Sequence, residues 1–406
     1  MKHSSLKPLD EALAELLAHA SPLDGGETVD SFEADGRVLL ADAVSALQVP
    51  PQDNSAMDGY ALRCADVAAP GALLPVSQRI PAGSVGHALQ PGTAARIFTG
   101  APVPPGADAV VMQEDCEVVE DGTVRVNAAP QAGQNIRRAG EDIALGATVL
   151  AAGTRLTPAA LGLAASIGLA QLPVARRPRV ALFSTGDELV MPGQVPPAQM
   201  KPGSIYNSNR FVLRAMLQRL GCEVTDLGIV PDRLEATVDA LRQAAAGHDL
   251  ILTSGGVSVG EEDHVKPAVQ SLGSLDLWLI AMKPGKPFAY GRVGGAHFIG
   301  LPGNPVSSLV TFAVLVRPFL LRLQGMHDVA PKTIAATAAF TWPRADKRRE
   351  FLRVRLNAEG RLERYANQGS GVLTSTVWGD GLVDVAPGQT IAPGDTVRFI
   401  PFAELL

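Results

Sequence analysis

The sequence predicts a multi-domain α/β plus β protein. Its parts are a central, mostly parallel α/β domain, an inserted β module between two linker pieces, and a C-terminal β-barrel-like domain. Three observations carry this. Apolar runs, glycine loops and helical stretches alternate from Arg179 onward. Short β-like runs separated by turns occupy residues 45 to 140, and the last 80 residues lose the helical period.

Taken in order, Leu9, Ala12, Leu13, Leu16 and Leu17 recur at helical spacing, which predicts an amphipathic helix over 8–20. The runs 94–98, 109–112, 117–119 and 123–126 alternate with turns such as Asp121-Gly122, a small all-β module. Residues 140–175 return to mixed and then helical character and end in a proline-bounded stretch at 173–178. Two pieces that can pack together therefore flank the module, as an insertion would require. Beyond them, 180–183, 224–229, 250–252 and 275–280 read as strands, and 208–220, 233–246 and 305–323 as helices. Asp232 is placed to cap the second of these helices. Residues 288–290 and 297–299 read as a hairpin. Ligands of such sheets bind at the carboxyl ends of the strands.

Composition narrows the function. The 406 residues carry 35 Lys+Arg against 41 Asp+Glu, a net charge of −6, so the chain lacks the basic face of a non-specific nucleic-acid binder. With 46% hydrophobic and 19% charged residues it is globular rather than disordered. Three scattered cysteines, Cys64, Cys116 and Cys222, form no CxxC, which argues against a disulfide framework or zinc cluster and fits a reducing cytoplasm. The amino terminus lacks a signal-peptide core, and the apolar run 312–321 is interrupted by Arg317 and Pro318. A soluble protein with no membrane partner is expected.

Chemistry is expected at five places. In TSGGVSVGEED (253–263) a strand opens into glycines and hydroxyls and then a helix, so that backbone N–H groups of the loop can converge on an anion. Asp263 suits either an N-cap or a magnesium ligand beside phosphate. GLPGNPVSS (300–308) repeats the strand–loop–helix pattern, with Pro302, Gly303 and Asn304 in the loop and Ser307 in the first helical turn. KPGKP (283–287) sets Lys283 and Lys286 on a stiff, proline-bounded segment suited to gripping a dianion. Arg353, on an alternating strand beside the loop 367–371 with Ser370, offers a fork for a tetrahedral oxyanion. Finally, Asp58, Asp142 and Glu188 place carboxylates on loops, where a solvated role competes with a functional one.

Together these segments resemble the molybdopterin molybdenumtransferase family, which comprises the MoeA proteins and the E domain of gephyrin. The blocks are DNSAMDGYA (53–61), RIFTGAPVP (96–104), GQNIRRAGEDI (133–143), FSTGDELV (183–190), IYNSN (205–209), TSGGVSVGEEDHVK (253–266), KPGKPFAYG (283–291) and GLPGNPVSS (300–308), in order over nearly the whole chain. A thinner match continues through EFLRV (350–354) and NQGS (367–370).

The resemblance implies four domains: a linker domain from 1–44 and 140–177, the inserted module at 45–139, the α/β domain at 178–326 and a β domain at 327–406. It implies a transferase that inserts molybdate into adenylylated molybdopterin and releases AMP with Mg²⁺. Ser254, Gly255, Gly256, Ser258, Pro302, Gly303 and Asn304 would hold the pterin nucleotide, and Lys283, Lys286, Ser307, Arg353 and Ser370 the molybdate. Asp263 and Glu188 would bind Mg²⁺. Asp58, Thr99 and Asp142 would reach in from the second subunit of a homodimer. Handover from a molybdopterin adenylyltransferase and onward to molybdoenzymes is also implied. Two alternatives remain: the adenylyltransferase itself, which is usually a compact single domain, and a non-catalytic scaffold of the gephyrin type.

Overall fold

The computed structural model describes residues 6–256 and 264–405. Its centre is a six-stranded sheet whose first strands run parallel because each is followed by a helix that must return over a face. We label these β1 (Arg179–Thr185), α1 (Asn209–Arg219), β2 (Glu223–Val230), α2 (Leu234–Ala245), β3 (Leu250–Ser254), α3 (Val265–Leu272), β4 (Gly273–Leu279), β5 (Pro287–Val293) and β6 (Ala296–Leu301). The spatial order is β2-β1-β3-β6-β5-β4. β2, β1, β3 and β6 are mutually parallel, and β5 and β4 join antiparallel. The sheet is therefore mixed, with β5 alone running against the other strands. The reason is the tight hairpin at Gly294-Gly295, which leaves no room for a crossover.

Alternate residues of β1 and β3 feed two cores. Val180, Leu182, Leu250 and Leu252 pack with α1 and the helix that begins at Pro305, and Ala181, Phe183 and Ile251 pack with α2 and α3. Residue 233 occupies the cap position of α2, so Asp232 stands one place earlier than the sequence suggested. The helix from Pro305 carries its proline in the first turn, runs as α4 (Pro305–Thr311), and passes through a π-turn at Phe312–Val316 into α5 (Arg317–Leu323). Pro318 lacks the N–H that would bond back one turn, which accounts for the irregularity beside it. This 19-residue segment is apolar enough to cross a membrane by length and composition, but 83% of its most apolar 18-residue stretch is buried inside the protein as a core helix.

The pieces either side of the module meet. Gly26–Asp30 pairs antiparallel with Gln171–Ala175, and Leu39, Leu156, Ala164 and Val174 share a small core. The helix Leu9–Ala18 behaves differently: Leu9, Ala12 and Leu16 insert into the main α/β core, so it does not pack with residues 26–44 as expected of one linker piece. The module itself is a six-stranded sheet in which Ala72–Ile80 and Ala94–Ile97 pair in parallel and the other pairs are antiparallel.

In the C-terminal region the strand β7 (Arg349–Leu356) pairs with Gly381–Val385, which pairs in turn with Thr396–Pro401 and then Ile334–Thr337. The path closes where Ala338 bridges Leu362, a residue of the short strand paired with β7. Leu352, Val354, Val383, Val397 and Phe399 fill the interior.

Candidate active site

β1, β3 and β6 end side by side, and a cavity of about 480 Å³ opens beyond their carboxyl ends. Its wall is built by the two glycine loops. β3 stops at buried Ser254, and Gly255 and Gly256 follow with φ +91° and +66°. A Cβ on Gly256 would lie 2.4 Å from Val265 Cγ2 and 2.8 Å from Thr185 Oγ1, so glycine is required by both conformation and space. Gly255 N–H donates to Leu301 O at 3.0 Å, tying the first loop to the start of the second. Asn209 Nδ2 donates to Gly303 O at 2.7 Å, which fixes the second loop against α1. Asn304 makes no side-chain cap bond to α4, so its carboxamide remains available at the wall.

Several hydroxyl and amide groups here have no partner. Ser184 Oγ, Asn207 Nδ2, Thr253 Oγ1, Ser308 Oγ and Thr311 Oγ1 are buried without a hydrogen bond. Native interiors leave few such atoms; of these five, Asn207 lines the cavity, and the others sit in β1, β3 and α4, whose ends form its wall. Glu188 is the one carboxylate on this wall among the described residues. Its side chain lies close over Gly186, whose φ is +140°.

The segment between β4 and β5 leaves the α/β sheet. Met282–Lys283 pairs in parallel with Arg349 and Glu350 of β7, and Ile280 N–H closes the excursion on Lys286 O at 2.8 Å. Gly285, at φ +108°, is pressed against α4: a Cβ there would lie 2.2 Å from Thr311 Oγ1. Lys286 emerges beside the cavity-lining Pro287, exposed and without an ion pair among the described residues.

Lys283 departs from the expected arrangement. Its ammonium is bonded to Oε1 of buried Glu350 at 2.8 Å, and the other oxygen of that carboxylate accepts Trp342 Nε1–H at 2.7 Å. Glu350 and Arg353 are three apart on a strand and face opposite sides, so the structure does not bring Lys283 to the same place as Arg353.

Arg353 itself is 1% exposed. Nε donates to Ser375 Oγ at 3.0 Å, Nη1 to Phe351 O at 3.1 Å and Nη2 to Gly369 O at 3.1 Å. Among the described residues no carboxylate pairs with it, and burial alone pushes its pKa down to about 10. The adjoining Ser370 O accepts Val306 N–H at 2.9 Å, so this uncompensated cation is joined through one peptide contact to α4 and Ser307. Arg353, Ser370 and Ser307 thereby adjoin the first turn of α4, and Gly285, the residue before Lys286, packs against the same helix.

Asp58 and Thr99 lie on the module and Asp142 on the linker piece just after it, and none of the three lines this cavity. Asp58 accepts Thr99 N–H and Oγ–H at 2.8 Å each, and these bonds hold its carboxyl below the usual range. Asp142 is exposed on the turn whose N–H bonds Val49 O. Ser258 and Asp263 lie outside the described residues. Sequence reasoning gave no role to Thr185, Asn207 or Asn209, although 205–209 had been noticed as a motif. The available signal was two asparagines bracketing a helix start at a strand-edge loop.

Comparison with known proteins agrees with this layout. Three family models cover the chain in order: the MoeA N-terminal region (domain I and II) over 7–168, a probable molybdopterin binding domain over 181–322, and the MoeA C-terminal region (domain IV) over 335–402. The molybdopterin molybdenumtransferase of Haemophilus influenzae is 40% identical over 98% of this chain and 99% of its own. Molybdopterin molybdenumtransferase 2 of Mycobacterium tuberculosis is 41% identical over 94% and 95%. A crystal structure of the molybdopterin biosynthesis moeA protein from Pyrococcus horikoshii superposes with a TM-score of 0.84 at 28% identity, covering 98% of this chain and 100% of that one. The chain belongs to the MoeA family of molybdopterin molybdenumtransferases. It is accordingly a transferase of molybdenum-cofactor biosynthesis.

Proposed function

We propose that the chain inserts molybdate into adenylylated molybdopterin and releases AMP. One observation supports this most: a glycine-walled cavity adjoins a buried arginine that has no acid partner among the described residues. The first suits a phosphate-bearing heterocycle and the second a tetrahedral dianion.

In this reading Ser254, Gly255, Gly256, Pro302, Gly303 and Asn304 hold the pterin nucleotide, with Ser258 completing the set from the sequence motif. Arg353, Ser370, Ser307 and Lys286 hold molybdate, each charge-assisted bond contributing about 1.5–3 kcal/mol. Lys283 acts one step removed, by anchoring the loop that carries Lys286 to β7.

Mg²⁺ fits the donors present. Glu188 supplies a hard carboxylate oxygen at the cavity, and among the described residues no group of three or more ligating side chains forms an all-protein cage. A single carboxylate, Asp263 from the adjoining motif, water and substrate phosphates are the set Mg²⁺ prefers. When bound it would neutralise the phosphoanhydride oxygens and ease departure of AMP. The chain's own residues orient the dithiolene beside the oxyanion and keep further carboxylates away from it.

The reading extends to assembly. Asp58, Thr99 and Asp142 are not among the residues that line this cavity, and in this reading they serve the cavity of a neighbouring subunit of a homodimer. The division into 1–44 with 140–177, 45–139, 178–326 and 327–406 belongs to the same proposal, as do handover to molybdoenzymes and a cytoplasmic site of action. Cys64, Cys116 and Cys222 are all unpaired, in keeping with a reducing compartment. The test is AMP release. Purified protein with adenylylated molybdopterin and Mg²⁺ is expected to release AMP only when molybdate is added, and to make no pyrophosphate from molybdopterin and ATP. Pyrophosphate formation, or no molybdate-dependent AMP, would overturn the proposal.

A further inference from the structure

We infer that Ser375 and Gln368 are positioning residues for Arg353, the serine holding its guanidinium and the glutamine its backbone without any opposing charge, so that its own charge remains available to an oxyanion. The inference deepens the proposed function and rests on its assignment of Arg353.

The geometry is specific. Ser375 is fully buried and its hydroxyl donates to Val372 O at 2.6 Å, which leaves its lone pairs to accept Arg353 Nε–H at 3.0 Å. Gln368 acts on the backbone instead. The short strand beside β7 pairs with residues 354–356 and stops before 353. There Tyr365 N–H still reaches Arg353 O at 3.0 Å, and the Gln368 carboxamide supplies the acceptor the ladder lacks: Oε1 accepts Arg353 N–H at 2.9 Å, while Nε2 also donates to Arg353 O at 2.9 Å. Nε2 also donates to Tyr365 O at 3.0 Å, closing the loop that carries Gly369 and Ser370. One side chain thus sets the height of Arg353 and the loop opposite it.

Each terminal nitrogen of Arg353 spends one N–H on a carbonyl, of Phe351 and Gly369, and keeps another for a ligand. A buried arginine serving only the fold would be better matched by a carboxylate, as at Arg349, four residues earlier on the same strand. Serine and the two carbonyls supply the geometry of such a partner without its charge, and glutamine fixes the backbone that carries it.

The test uses the full-length protein and measures the KM for molybdate, the KM for adenylylated molybdopterin, and thermal stability. Ser375→Ala and Gln368→Ala are expected to raise the molybdate KM about tenfold, with the pterin KM within about twofold and Ser375→Thr restoring molybdate binding. Arg353→Ala serves as the reference. If it raises the molybdate KM while Ser375→Ala and Gln368→Ala leave it unchanged, the positioning role is wrong. A parallel rise in both KM values with lost stability, unrescued by Ser375→Thr, would show a purely structural role and also overturn it. If Arg353→Ala itself leaves the molybdate KM unchanged, the assignment of Arg353 falls, a result distinct from the other two.

Discussion

Two arginines four residues apart on one strand face the same side and meet opposite fates. Arg349, at the start of β7, is gripped by both oxygens of Asp384 at 2.6 Å and by Asp10 of the N-terminal helix at 2.7 Å. These bonds raise its pKa against the opposing effect of burial. Arg353, toward the other end, is more deeply buried yet meets only a hydroxyl and two carbonyls. A charge that serves stability is neutralised within the chain, whereas one that serves a ligand is left for the ligand. Lys283 belongs with Arg349 by this criterion, and Lys286 with Arg353.

The largest expected effect comes from the structural side. Arg349→Ala strips buried Asp384 of its two-pronged partner, leaves it only the longer 3.5 Å pair with Arg398, and should cost up to about 3–5 kcal/mol of stability, read by urea denaturation. The surviving folded protein should bind molybdate as before. Next, Arg353→Ala should weaken molybdate binding by about 10- to 100-fold, measured calorimetrically, with little loss of stability because no acid is orphaned. If the two variants exchanged these phenotypes, the distinction between them would collapse.

Smaller effects sharpen it further. Gly256→Ala places a Cβ against Val265 in a left-handed backbone and should cost about 1–3 kcal/mol of local strain. It should raise the pterin KM and spare molybdate affinity in equilibrium dialysis. Lys286→Ala should weaken molybdate binding about threefold to tenfold, more than Lys283→Ala, whose main expected effect is on stability through Glu350. Equal molybdate affinities in the two lysine variants would contradict the separation seen here.

The smallest effect concerns a third buried basic group. His297 is pushed down to about 4, first by burial and then by Arg292. The unfolded chain takes up a proton near pH 6.5 that the folded one refuses until about 4. Its contribution to stability is therefore present above pH 6.5 and lost as pH falls through that window. Between pH 7 and 5.5 the loss should be about 1 kcal/mol, and His297→Gln should flatten that part of the stability profile.

Much of this was legible in the sequence because glycine loops after apolar runs announce strand ends, and the two such loops at 255–256 and 302–304 do meet at one cavity. Arg353 was also legible, from its strand and the hydroxyl-bearing loop beside it. The fate of Lys283 was not. A lysine beside a proline looks the same whether it faces solvent or an acid 67 residues away, and only the pairing of 282–283 with β7 decides that. The helix at 9–18 shows the same limit, since periodicity reveals an apolar face but not which core receives it. Gln368 and Ser375 escaped notice because their partners are backbone atoms and a side chain brought near by β7, which composition and spacing do not encode.

The most direct test is anomalous diffraction at the molybdenum edge from crystals soaked in molybdate. A peak within hydrogen-bond reach of the Arg353 guanidinium, beside Ser370 and the first turn of α4, is the predicted result. A peak beside Arg349 or at the Lys283–Glu350 pair, with none at Arg353, would contradict the account.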